Sequence, residues 1–152
     1  MRVSAKVDYA VRALVELAAA GGSGPVKGEA IAAAQQIPLK FTENILSDLR
    51  RAGIVSSQRG AVGGYWLSVP PESVTVADVI RYVEGPLADV RGEPPEEVEY
   101  TGAATALQDV WIATRATLRS VLETVTIADI AGGHLPDLVQ RLAGDPDARS
   151  RR

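Results

Sequence analysis

The chain has 152 residues, 46% of them apolar and 23% charged, with no cysteine and a net charge of −3. That is enough for one domain with an appendage and too apolar for wholesale disorder. The lack of cysteine excludes disulfides, thiolate metal sites and a cysteine nucleophile. The charge is unevenly spread: residues 1–70 hold 8 Lys and Arg against 5 Asp and Glu (+3), and residues 71–152 hold 8 against 14 (−6). A polyanion would therefore meet the N-terminal part.

Residues 4–20 read as a first helix, with Val7, Ala10, Val11, Leu14, Val15 and Ala18 in a stripe. Arg12 and Glu16 interrupt it, so it is no signal peptide. No stretch approaches the ~20 apolar residues of a membrane span, and a cytoplasmic chain is expected. AGGSGP is a turn, and residues 27–35 form a short alanine-rich helix. Gln36 and Ile37 turn into a third helix that Pro38 opens, at the first helical position. Leu39, Ile45, Leu46 and Leu49 recur at helical spacing, which leaves Lys40, Thr42, Glu43, Asn44, Ser47 and Asp48 on the other face. Arg50 and Arg51 suit the last turn, and Gly53 ends it. IVSSQ and YWLS are short strands around the glycine-rich tip RGAVGG. Two short helices, a tight turn and a hairpin make a winged helix-turn-helix.

Pro70 and Pro71 stop the hairpin. Thr75 with Asp78 is a capping box for a helix over 76–84. Residues 87–102 are acidic, proline-bearing and aperiodic, which reads as a mobile or irregular loop. Residues 103–124 form the longest helix, on which Leu107, Val110, Trp111, Thr114, Leu118, Val121 and Leu122 make a stripe close to a 3.5 repeat. With no second domain to cover it, the stripe is expected to bury itself in a homodimer. Thr126 with Asp129 caps a short helix over 127–131, one more helix follows near 135–144, and the end is a tail. The division expected is a winged DNA-binding unit over 1–84, an acidic loop over 85–102, dimerisation and C-terminal helices over 103–143, and a flexible tail over 144–152. The fold class is mainly α with a small β-hairpin wing.

MRVSAKVDYAVRAL, IPLKFTENILSDLRRAGIVSSQRGAVGGYWL, PPESVTVADVIRYVEGPL and VTIADI occur in that order. Together they resemble the Rrf-two type of winged-helix regulators, the family of IscR, NsrR and CymR. The resemblance spans roughly residues 1–131. It implies a homodimer with crossing long helices and recognition helices in successive major grooves. It puts Lys40, Phe41, Thr42, Glu43 and Asn44 at the base-facing start of the recognition helix. Arg59, Gly60, Gly63 and Gly64, with Tyr65 beside them, become the wing that enters the minor groove. The side chains suit these roles: Asn44 can pair with adenine, Glu43 can accept from cytosine and Thr42 can touch a thymine methyl. An arginine on a glycine-rich tip suits a narrow minor groove. Arg2, Lys6, Lys27, Arg50 and Arg51 are the expected phosphate contacts. The function implied is a regulator, more a repressor than an activator, on a pseudo-palindromic duplex operator. Iron–sulfur members carry three cysteines in the loop before the long helix, and here there are none. Asp8 stands where some of them place an oxygen ligand, but one carboxylate does not hold a cluster. No cofactor is expected, and the effector, a small molecule or a protein, is left open.

Other readings are weaker. Glu93, Glu96, Glu97 and Glu99 suit a divalent cation, but a solvated acidic loop is the simpler reading. His134, the only histidine, reads as a surface turn residue. Trp66 suits wing packing, and Tyr82, Tyr100 and Trp111 are read as the lining of an effector pocket. No metal site follows. An enzyme is not expected, because no nucleophilic triad or phosphate-cradling loop is present. The alternative is a winged helix that serves as a protein-interaction module.

Overall fold

The computed structural model describes residues 1–150. Helix α1, Ala5–Ala19, starts at Ser4, whose Oγ accepts the Val7 N–H at 3.2 Å. It buries Val7, Ala10, Ala13, Leu14 and Leu17. Helix α2, Gly28–Gln35, ends on Gln36 in the left-handed conformation (φ 54°, ψ 44°). That residue turns the chain into α3, Leu39–Arg51. Pro38 sits one position earlier than the sequence suggests, at the N-cap, with extended backbone (φ −57°, ψ 131°). Its carbonyl accepts the Thr42 N–H at 3.1 Å, the first bond of the helix. Gly53 follows the helix at φ 79°, as a C′ glycine should.

Strands β1, Val55–Gln58, and β2, Gly64–Leu67, pair antiparallel from Val55 opposite Leu67 to Gln58 opposite Gly64. Val26, just before α2, adds a bridge to Tyr65. A 3₁₀ turn, Pro71–Ser73, leads to α4, Val76–Glu84, and the Thr75–Asp78 capping box is formed in full. Helix α5, Leu107–Leu122, is the longest, and α6, Ile127–Gly132, starts from the second expected capping box, Thr126 with Asp129. The two boxes lie side by side: Val76 N–H donates to Val125 O and Ile127 N–H to Val74 O, each at 2.9 Å. Helix α7, Asp137–Gly144, and a 3₁₀ turn, Pro146–Arg149, close the described chain. The last two residues of the expected tail, 151–152, lie outside the described residues.

One apolar core joins α1, α2, α3, β1 and α4 through Leu14, Ile31, Ile45, Leu46, Leu49, Val55 and Val79. Ile127, from beyond the long helix, completes it. Each such side chain contributes about 1.5–3 kcal/mol on burial. A second cluster, Val7, Ala77, Ile80 and Leu87, has Leu122 packed against it and ties α5 to α4.

Two expectations for α3 need correcting. Thr42 is fully buried, and Leu39 is 40% exposed. The buried face is centred on positions 42, 45, 46 and 49. At 100° per residue, Leu39 lies roughly 70° from that centre. Residues 87–102 are irregular, as their aperiodic sequence predicts, and well tied. Val90 and Glu93 exchange two backbone hydrogen bonds at 3.0 Å, and Pro95 and Val98 are buried. The Gln108 amide donates to the carbonyls of Glu96 and Val98 at 3.1 and 3.0 Å, and Arg115 pairs with Glu96 at 2.5 Å.

Candidate nucleic-acid interface

The outward face of α3 presents Lys40, Glu43, Asn44, Arg50 and Arg51 to solvent. Phe41 joins them at 58% exposure, its ring edge-on to Tyr9 at 6.4 Å. No side chain caps the helix start, so its first N–H groups are available to an anion. Thr42 does not belong to this set. Its hydroxyl turns inward and donates to Pro38 O at 3.3 Å, so its methyl cannot reach a base edge.

Behind Phe41 stands a network that the sequence did not single out. The Arg12 guanidinium lies over the Tyr9 ring at 5.5 Å. It donates to Asp8 at 3.0 Å, to the Gln35 side chain at 3.0 Å and to the Gln35 carbonyl. The Gln35 amide in turn donates to Glu16 at 2.5 Å. One cation thus locks α1 to the end of α2, where the turn into α3 is made. Its only sequence signal was the Asp8–Arg12 spacing of four, which reads equally well as a surface ion pair.

The expected phosphate contacts are not all free. Lys6 pairs with Asp48 at 2.8 Å, and Arg51 pairs with the same carboxylate. The Lys6 hydrogen bond, helped by Arg51, outweighs burial and holds the Asp48 carboxyl below its ordinary 3.8. Arg50 donates to Ser57 Oγ at 3.0 Å, which joins the end of α3 to the wing. Lys27 donates to the Gly60 carbonyl at 2.8 Å. Arg2 lines a cavity of about 460 Å³ with Glu84, Leu87, Trp111 and Leu118, beside α5 rather than α3. Trp111 lines this cavity, but the suggested partners Tyr82 and Tyr100 do not.

The wing tip is Arg59 to Val62, all exposed. Gly63 and Gly64 are buried, where the tip turn runs into β2. A Cβ on Gly63 would meet Gln58 O at 2.1 Å, and one on Gly64 would meet Val26 O at 2.6 Å. These glycines are needed for close backbone approach. Tyr65 is half-buried against the core and Gly28, which removes it from the tip.

On α5, no residue is buried. Val110 is 52% and Trp111 37% exposed, and Thr114 is exposed beside them. Leu107, Leu118, Val121 and Leu122 are half-buried.

An iron–sulfur cluster does not fit this chain, since it supplies no thiolate. Among the described residues, no three His, Asp or Glu side chains converge as metal ligands. Asp8 is engaged with Arg12. No described helix is long and apolar enough to cross a membrane.

Comparison with known proteins agrees with this geometry. The Rrf2 family, described as iron-dependent transcriptional regulators, matches residues 3–133. A helix-turn-helix-type transcriptional regulator of Mycobacterium tuberculosis is 51% identical over 145 residues, covering 95% of this chain and 90% of that protein. CymR of Bacillus subtilis is 36% identical over 131 residues, 86% of this chain and 90% of that one. The solved structure of CymR, described as the global cysteine regulator of B. subtilis, superposes with a TM-score of 0.75 at 34% identity, covering 88% and 98% of the two chains. IscR of T. potens superposes with a TM-score of 0.69 at 30% identity, covering 100% and 93%. The chain is a transcriptional regulator with a winged-helix DNA-binding fold, not an enzyme, and it belongs to the Rrf2 family.

Proposed function

We propose that the chain acts in the cytoplasm as a homodimeric repressor on a pseudo-palindromic operator. The observation that carries this reading is the polar outer face of α3 standing beside an exposed Arg59 tip. Glu43 and Asn44 read base edges, Phe41 offers an apolar surface to a thymine methyl, and Arg59 enters the minor groove. The dimer forms on α5, whose Val110 and Trp111 are left uncovered in one protomer. Two-fold symmetry spaces the half-sites by about 10–10.5 bp or a multiple. The regulator works without an iron–sulfur cluster, because a chain free of cysteine has no thiolate to hold one. Its signal is then a small molecule or a protein partner.

The test is binding of wild type and Arg59→Ala to duplexes carrying the operator. Arg59→Ala should weaken binding by about 1–3 kcal/mol and relax preference at the outer A/T positions. Unchanged affinity and preference would remove the wing from the interface.

A further inference from the structure

We propose that Lys27 is a wing-positioning residue: its ammonium ties the start of α2 to the wing tip and so sets how Arg59 is presented to DNA. The hairpin has two strands of four residues, and a two-stranded hairpin is marginal by itself. Its orientation must therefore come from outside ties. Two of them converge on neighbouring residues. Val26 exchanges both backbone hydrogen bonds with Tyr65, each at 2.8 Å. The contact is backbone against backbone, since a Cβ on Gly64 would lie 2.6 Å from Val26 O. Lys27, next in the chain, crosses to Gly60 O at 2.8 Å. The same oxygen accepts the Gly63 N–H at 3.0 Å, the bond that closes the tip turn. Both lone pairs of Gly60 O are thus engaged, one within the turn and one by Lys27. Among the described residues, Lys27 makes the one side-chain hydrogen bond to the tip. Lys27 is also the N-cap residue of α2, with no side-chain cap bond of its own, so it links the wing directly to the helix-turn-helix.

This role differs from the phosphate contact that the sequence suggests. An ammonium has three donors, so the tether leaves two unused, and the experiment must separate the roles. The affinity arm rests on the DNA-binding reading above, and a mobility arm stands without it. For the first, binding is measured across a salt series for wild type, Lys27→Met, Lys27→Arg, Arg59→Ala and Lys27→Met with Arg59→Ala. Lys27→Met should weaken operator binding about 3- to 10-fold. It should leave the slope of log K against log salt unchanged and add nothing once Arg59 is gone. Lys27→Arg, which keeps a donor, should restore most of the binding.

For the second arm, Val62→Cys places the sole cysteine of the chain at an 80% exposed tip position, ready for a spin label. Label mobility should rise with Lys27→Met and fall again with Lys27→Arg. A salt slope shallower by about 0.9, with effects that add to Arg59→Ala, would make Lys27 a phosphate ligand and overturn the proposal. So would unchanged label mobility. A wild type that binds no duplex specifically would refute the DNA reading, and the label would still decide the tether.

Discussion

Thr42 and Glu43 are neighbours in sequence with opposite assignments, which makes them a sharp pair of perturbations. Thr42 is fully buried, and its hydroxyl makes a long 3.3 Å bond to Pro38 O. That oxygen also accepts the Thr42 N–H at 3.1 Å. Thr42→Val keeps the shape and the β-branch and leaves no acceptor unpaired. Its cost should sit at the low end for a hydrogen bond, about 0.5–1 kcal/mol. For a domain of this size that is a Tm lower by about 1–4 °C. Base preference should not move. Glu43 is exposed, so Glu43→Ala should change stability by less than about 0.5 kcal/mol. It should change the preference at one operator position by about 1–3 kcal/mol. Urea unfolding at fixed protein concentration, because a dimer's stability depends on it, gives the first quantity. Selection from randomised duplexes gives the second. A Thr42→Val protein of unchanged stability but altered base preference would refute the inward placement of Thr42.

Three further outcomes follow from the same geometry. Val110→Asp puts a charge on the uncovered α5 face and should yield monomers in analytical ultracentrifugation; an intact dimer would place the interface elsewhere. Asp48→Asn removes the carboxylate shared by Lys6 and Arg51. It should raise non-specific duplex affinity and steepen the salt dependence, while weaker binding would mean that Asp48 positions these cations rather than competing for them. Acid should destabilise the fold through its caps. Burial pushes the Asp78 carboxyl up, but bonds from Thr75 and the nearby Arg81 outweigh it and leave it below 3.8. The Thr126 backbone bond likewise lowers Asp129. Carboxyls lowered in the folded state contribute fully above about pH 4 and lose that contribution as pH falls through their folded values. Asp78→Asn should therefore flatten the acid limb of a stability–pH curve, and an unchanged limb would exclude that cap as its source.

Much of the fold was legible because its signals are local. The two Thr-to-Asp capping boxes, Gly53 and the glycine-rich tip each fix a boundary through a short-range bond or a backbone angle. The phase of α3 is less legible, because residue chemistry and position disagree at Leu39 and Thr42. Leu39 is apolar and Thr42 is not, yet Ile45, Leu46 and Leu49 set the buried face, and Thr42 lies on it. The acidic loop hid its order because Gln108 and Arg115 hold it from α5, and its own Val98 is buried, across separations that periodicity does not register. The site was legible as a charge pattern and a tip. What turns those charges into a shaped surface is long-range: Arg12 with Gln35, Lys6 with Asp48, and Lys27 with Gly60. A cation in a sequence looks the same whether it is free, paired or bracing a neighbouring loop.

Sequence-specific recognition of duplex DNA by α3 and the wing is the function on which the other roles depend. It is tested most directly by binding the protein to a genomic fragment library over a salt series and sequencing what is retained. One pseudo-palindromic motif should be recovered, with affinity falling steeply as salt rises. Retention of fragments with no shared motif at low salt, and of none at physiological salt, would contradict it and point to a winged helix that serves a protein partner.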